Sequence, residues 1–385
     1  MSRDVVFIAP PTGTYTPTNS GALATYIHEI ALVAASQGFS PTIVARQAPR
    51  HIAPYTDFPA HFLPFEEPKA GTLAYRWGRL ERKITGWRHV GQRAYLGKLA
   101  RLLEREKLLD APLFLHNDPD AVVFLRERYP EARLVHIFHN QMEAKLAMRR
   151  RYSEAHVPTI GISNFTRHWI EEHYSVPVST VYNGVNLNDF SPAKREPDGV
   201  PFINFVGRTG IEKAPDTFLK AALLLAQTRR DFGVQLVGSN HWGEGTEDGF
   251  QKLLRELGEG IRERGVELRT TGHVGRGRIA DEFRRAHIHI VPSRWDEPFG
   301  LTTLEGMACG LATIASKTGG SPEVIGDGGL LFERDQESEL ARHIARWLDA
   351  PQERREFAHR ARERAAFFTW ERTWQGLHQC ATNAY

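Results

Sequence analysis

The sequence predicts an α/β fold of two doubly wound domains, and three observations lead there. Short apolar runs recur between longer helical patterns. The runs lack strict alternation, as strands do when a parallel sheet is covered on both faces. Strand–helix alternation occurs twice over, on either side of the polar, proline-bearing stretch 186–201, which reads as a linker. The chain has 385 residues, and at about 100–200 residues per domain it divides into two. The expected domains are 1–190 and 191–368, with a terminal helix over 369–385.

In the first domain, β-branched and apolar runs place strands at Val5–Ala9, Thr42–Ala45, Leu113–His116, Leu134–Phe138, Thr159–Ile162 and Ser179–Tyr182. In the second they fall at Phe202–Val206, Val234–Val237, Val266–Thr270, His287–Val291 and Ala312–Ala315.

Bulk composition narrows the class. Hydrophobic residues at 41% and charged residues at 25% fit a soluble globular chain. A formal net charge of +3 gives no basis for nucleic-acid binding. Cys309 and Cys380 form no disulfide framework and no metal spacing, so a reducing compartment is expected. The start "MSRDVVFIAPPTG" reads as a first strand and not as a secretory leader, and no apolar run is long enough for a bilayer. A cytoplasmic location follows as the expectation.

Open α/β sheets bind ligands beyond the carboxyl ends of their strands. The loop "WDEPFGLTTLEGMACG" (295–310) has the chemistry for this. Pro298 and Gly300 shape a turn, and a helix is expected to start near Leu301–Thr302. The N–H groups of Gly300, Leu301 and Thr302 then make a phosphate seat at the positive end of the helix dipole. Glu305, one turn in, can accept hydrogen bonds from a ribose diol, and Glu297 can hold hydroxyls of another group. As an isolated residue, Glu305 reads first as an ordinary first-turn acid, and it is the whole string that favours the ligand role. Gly306, Ala308 and Gly310 let the helix pack close to its sheet.

The loop "FVGRTGIEK" carries Arg208 and Lys213 away from a strand end. A guanidinium and an ammonium make a clamp for a diphosphate, and a solvated basic loop is the plainer reading. After the first strand, Ser20 or Asn19 is expected to cap a helix beginning near Gly21; the loop does not match G-x-G-x-x-G. His139 leaves a strand end, while His136 and His116 read as structural.

The strings "FVGRTGIEK", "EPFGLTTLEGMACG" and "TGGSPEVIGDGGLLF", in that order, resemble the retaining glycosyltransferases of family GT4. "VYNGVNLNDFSP" and "FTWERTWQGLHQ" fit the same pattern. The resemblance implies the GT-B fold, two Rossmann-like domains facing a cleft. It implies that Arg208 and Lys213 bind the diphosphate of a UDP- or GDP-linked sugar. Glu305 would take the ribose and Glu297 the sugar hydroxyls. The Phe299–Thr302 backbone would meet sugar and phosphate, His139 would approach the reacting carbon, Gly21 would lie in a closing loop, and Val274 would border the base. The terminal helix would return to the first domain. The resemblance implies transfer with retention to a saccharide, lipid-linked or small-molecule acceptor, with no dedicated general base. A GT-B-fold nucleotide-sugar epimerase and a non-catalytic nucleotide-sugar-binding protein are the alternatives.

"NDPD" (117–120) contains D-x-D, but Pro119 makes it a turn, and neither a cofactor nor an obligatory metal is expected. The stretch 75–107 holds ten Lys/Arg against three Glu, with aromatics interspersed. Arg76, Trp77, Arg82, Lys83, Trp87 and Arg88 read as a contact with an anionic membrane or an acidic acceptor, or as a solvated helical face.

Overall fold

The computed structural model describes residues 3–11, 15–16, 21–47, 55, 58–65, 92–194, 199–239 and 249–385. Two compact units divide the chain. One comprises Met1–Asn183 with Trp370–Tyr385, the other Gly184–Thr369.

The first unit has seven parallel strands: β1 (Asp4–Ile8), β2 (Ser40–Arg46), β3 (His61–Phe65), β4 (Leu113–His116), β5 (Leu134–Phe138), β6 (Thr159–Gly161) and β7 (Val178–Thr180). Their order is β3-β2-β1-β4-β5-β6-β7. Its helices are α1 (Ala22–Ser36), α2 (Gln92–Arg105), α3 (Pro119–Arg128), α4 (Leu146–Glu154), α5 (Asn164–Tyr174) and, from the end of the chain, α13 (Trp370–Ala384). The central strands are mostly apolar because helices cover both faces, and β4 and β5 are buried along their whole length, with His116 and His136 their only polar residues. Phe7 of β1 packs at 5.4 Å on Phe114 of β4 and edge-on at 6.1 Å to Trp374 of α13.

The second unit has six parallel strands: β8 (Phe202–Val206), β9 (Gly233–Val237), β10 (Glu267–Gly272), β11 (Ile288–Val291), β12 (Ala312–Ser316) and β13 (Gly329–Phe332), ordered β10-β9-β8-β11-β12-β13. Its helices are α6 (Pro215–Leu225), α7 (Gly249–Glu263), α8 (Arg276–Arg284), α9 (Leu301–Ala308), α10 (Ser321–Ile325), α11 (Glu337–Asp349) and α12 (Pro351–Ala365). Ile203, Phe205, Phe218, Leu219, Ile288, Ile290, Ile314 and Trp347 form its core. Each such side chain contributes about 1.5–3 kcal/mol on burial.

In both units the order reverses beside the first strand, between β1 and β4 and between β8 and β11. That is the switch point at which doubly wound sheets open a ligand crevice. Two strands are not expected from the sequence, β3 and β13, and both are sheet edges. β3 contains Pro64, which an edge tolerates because one side needs no donor. β13 opens on Gly329, directly after Gly326-Asp327-Gly328, and that glycine-rich run reads as a turn. Among the described residues, no helix is long and apolar enough to cross a membrane.

Candidate functional site

Helix α9 begins directly after Gly300, whose φ of 95° places it in the left-handed region. No side chain caps this end, so the first-turn amides depend on an outside acceptor. Gly319 (φ 51°) faces the preceding turn so closely that a Cβ would lie 2.6 Å from Glu297 N. Its neighbour Gly320 donates its N–H to Glu297 O at 2.7 Å. Behind α9, a Cβ on Gly306 would clash with the His289 ring of β11. The small residues therefore bring the helix onto its sheet.

Glu297 is buried. Its Oε1 accepts from Lys213 Nζ at 2.5 Å and from Ser293 Oγ at 2.5 Å. Lys213 also lies 5.3 Å from the centre of the Trp295 ring, within cation–π reach. The loops after β8 and β11, at the switch point, are thus joined by one ion pair. Arg208 stands apart from it, pairing with Glu212 at 2.7 Å and 54% exposed. The two cations expected to act as one clamp each face a separate carboxylate in this structure. Glu305 is buried, and Arg276 of α8 donates to its Oε1. Arg276 in turn lies 4.7 Å from the Phe190 ring centre.

Arg294 secures this arrangement. Its guanidinium grips Asp216 of α6 with two bonds, at 2.8 and 2.6 Å, and reaches Asp335 at 2.6 Å. Its backbone N–H donates to Glu212 O at 2.9 Å, tying the Lys213 loop to the Glu297 loop. Burial opposes the charge on Asp216, but Arg294 and Lys220 hold its carboxyl below the usual range. Sequence reasoning misses Ser293, Arg294 and Arg276. The one signal is for Arg294: Asp216, a carboxylate in the first turn of a largely apolar helix, calls for a cation.

The other expected residues are placed as follows. Phe299 is buried, edge-on to Phe368 at 5.8 Å. Leu301 and Thr302 are half-buried at the start of α9, and Val274 is half-buried in the loop between β10 and α8. Gly21 is exposed and occupies the cap position of α1 with no side-chain bond. This corrects the expectation of Ser20 or Asn19 as the cap: the helix starts at Ala22, one residue later than a Ser20 cap would give and two later than an Asn19 cap. Ser20 and Asn19 themselves, like Arg76, Trp77, Arg82, Lys83, Trp87 and Arg88, lie outside the described residues.

In the first unit, His139 follows β5 and is buried. Its backbone N–H donates to Asn117 Oδ1 at 2.7 Å, and its Nε2 meets His116 Nδ1 at 2.8 Å. Tyr26 lies edge-on at 4.5 Å. Burial lowers His139 to about 3 and His116 well below the ordinary histidine value, so both rings are neutral at pH 7. His116, read from the sequence as structural, is a direct neighbour of His139. His136 does act structurally, accepting from Asp118 N–H at 3.1 Å and bonding Tyr152 OH at 2.8 Å. The D-x-D sequence opens α3, with Asp118 accepting from Ala121 N–H at 3.1 Å as the helix cap. Among the described residues, no group of three or more His, Cys, Asp or Glu is placed to hold a metal ion.

Two Rossmann-like units, whose first six strands share one order, are the two units of the GT-B class of fold. Residues 188–364, nearly the whole of the second unit, match the family described as "Glycosyl transferases group 1". The chain is 37% identical over 211 residues to "D-inositol 3-phosphate glycosyltransferase 2" of Catenulispora acidiphila, covering 51% of this chain and 48% of the relative. It is 34% identical over 216 residues to the Mycobacterium tuberculosis "D-inositol 3-phosphate glycosyltransferase", covering 52% and 42%. The chain thus spans about half the length of the curated relatives it matches. Among solved structures, Anabaena HepE in complex with UDP superimposes with a TM-score of 0.72 at 17% identity, covering all of both chains. A Rickettsia africae glycosyltransferase does so with 0.75 at 16%, covering 99% of this chain and 98% of that one.

Proposed function

We propose that this protein transfers a sugar from a nucleotide-diphosphate sugar to an acceptor hydroxyl, with retention, giving an α-linked product. The observation that carries the reading is the pairing of part-buried Lys213 with buried Glu297 beside the start of α9, whose cap residue is a glycine. Sugar transfer builds negative charge on the departing diphosphate and positive charge at the anomeric carbon. The α9 amides, Lys213 and Arg208 would stabilise the first in a preorganised way. Glu297 would hold sugar hydroxyls, Glu305 the ribose, and Val274 would border the base. His139 would meet the sugar near its reacting carbon. With no dedicated base, the leaving phosphate takes the acceptor proton on the face it departs from. No metal is required in this scheme.

The acceptor is a saccharide, a lipid-linked saccharide or a small molecule; the relatives' names put D-inositol 3-phosphate first in a panel. The basic first unit favours an anionic membrane surface, and on α4 the exposed Leu146 lies beside exposed Lys145 and Arg150. Failure to bind anionic liposomes at any salt concentration would remove that part. The test of the function is incubation with UDP- and GDP-sugars, with and without acceptor, and NMR of the product anomer. A β-linked product overturns retention. A donor altered without acceptor identifies an epimerase, and binding without turnover identifies a binding protein.

A further inference from the structure

The two imidazoles at the carboxyl ends of β4 and β5 meet nitrogen to nitrogen. His116 Nδ1 and His139 Nε2 are 2.8 Å apart, and both residues are buried. A neutral imidazole carries one N–H, so one ring donates and the other accepts. The choice fixes both tautomers. If His139 donates from Nε2, then His116 carries its proton on Nε2, and that N–H is buried with no partner. If His116 donates from Nδ1, its Nε2 is a bare acceptor instead. His116 Nε2 is one of the buried polar atoms with no hydrogen bond. An orphaned buried N–H is the rarer and costlier outcome. Nearby Tyr26, edge-on to His116 at 5.6 Å, leaves its own hydroxyl buried and unbonded and so gives His116 no acceptor.

We infer that His116 is a positioning residue that donates from Nδ1 to His139 Nε2 and thereby fixes His139 as the tautomer presenting an N–H at Nδ1. His139 is then a neutral hydrogen-bond donor, suited to a sugar hydroxyl or ring oxygen, and not a proton acceptor. The purpose of this arrangement rests on the sugar-transfer reading; the tautomer does not. The same logic, a buried partner setting which ring nitrogen faces the substrate, governs histidines in hydrolase triads, where the wrong tautomer costs about 10⁴-fold.

The test is ¹⁵N-resolved NMR of histidine-labelled full-length protein without ligand, together with two near-isosteric variants. The expected spectrum shows His139 protonated at Nδ1 and bare at Nε2. His116→Asn keeps a donor and leaves that signature in place, with turnover within about tenfold of the parent. His116→Asp offers only acceptors. It moves the His139 proton to Nε2 and lowers kcat by about 100-fold, the typical loss for one misdirected donor. A parent spectrum with His139 protonated at Nε2 overturns the inference, as does equal turnover of the Asn and Asp variants. If His116→Asp fails to fold, the parent spectrum and His116→Asn still decide it. If no nucleotide-sugar is turned over, the function reading fails, while the NMR result continues to judge the tautomer.

Discussion

Lys213 Nζ and Glu297 Oε1 lie 2.5 Å apart, although 84 residues separate them. The pair joins the loops after β8 and β11 at the point where the sheet order reverses. Glu297 is buried and Lys213 is largely so, at 7% and 24% side-chain exposure. Removing either partner leaves the other desolvated and misdirected. Lys213→Ala and Glu297→Ala are each expected to lower kcat by about 100-fold. The double variant should be little worse than either single one, because the residues act as a unit. Unchanged kinetics of Glu297→Ala would remove it from the site.

Gly319 tests the backbone that carries Glu297. An added methyl would meet Glu297 N at 2.6 Å in a residue held at φ 51°. Gly319→Ala should destabilise the second unit by about 1–3 kcal/mol and abolish most turnover, read by thermal melting and initial rates. Gly277, in the first turn of α8, is the control, because an added methyl there would meet nothing within 4 Å. Gly277→Ala should be neutral or stabilising by up to about 1 kcal/mol.

Glu305 Oε1 pairs with Arg276, and in the proposed reading the same carboxylate would take the ribose hydroxyls. Glu305→Ala is expected to raise the donor KM by roughly 10–100-fold, the worth of a charge-assisted hydrogen bond. The variant should also lose discrimination against a 2′-deoxy donor. Retained discrimination would place the ribose elsewhere.

Stability should depend on pH through buried neutral histidines. Burial lowers His289 to about 3, while its Nδ1 bonds Asn204 Oδ1 at 2.8 Å. A depressed histidine stabilises the fold above its unfolded pKa of about 6.5, and that contribution is lost as pH falls toward 3. Between those limits the unfolded state binds the extra proton, so stability rises with pH by up to about 1.4 kcal/mol per unit per histidine. His289→Gln should flatten the pH dependence of the urea midpoint; an unchanged slope would show that His289 takes up its proton in the folded state.

Much of this is legible in the sequence because it is local. The strand runs are apolar, the Pro298–Gly300 turn announces the start of α9, and Gly306 announces a close approach. What escapes is pairing across distance. Arg276 with Glu305, Arg294 with Asp216, and His116 with His139 are separated by 29, 78 and 23 residues. Only the parallel register brings them together, and no spacing rule encodes it. The two unexpected strands escape for another reason: edge positions admit the proline and glycines that elsewhere break a sheet.

In the proposed reading, the second unit holds a nucleotide diphosphate between Lys213, Arg208 and the start of α9. Its most direct test is a thermal-shift panel of nucleotide-sugars against the parent protein and an Arg208→Ala/Lys213→Ala variant. At 100 times its dissociation constant, the true donor should stabilise the parent by about 2.7 kcal/mol and leave the variant unmoved. Equal stabilisation of both proteins, or no response to any donor, would contradict the account.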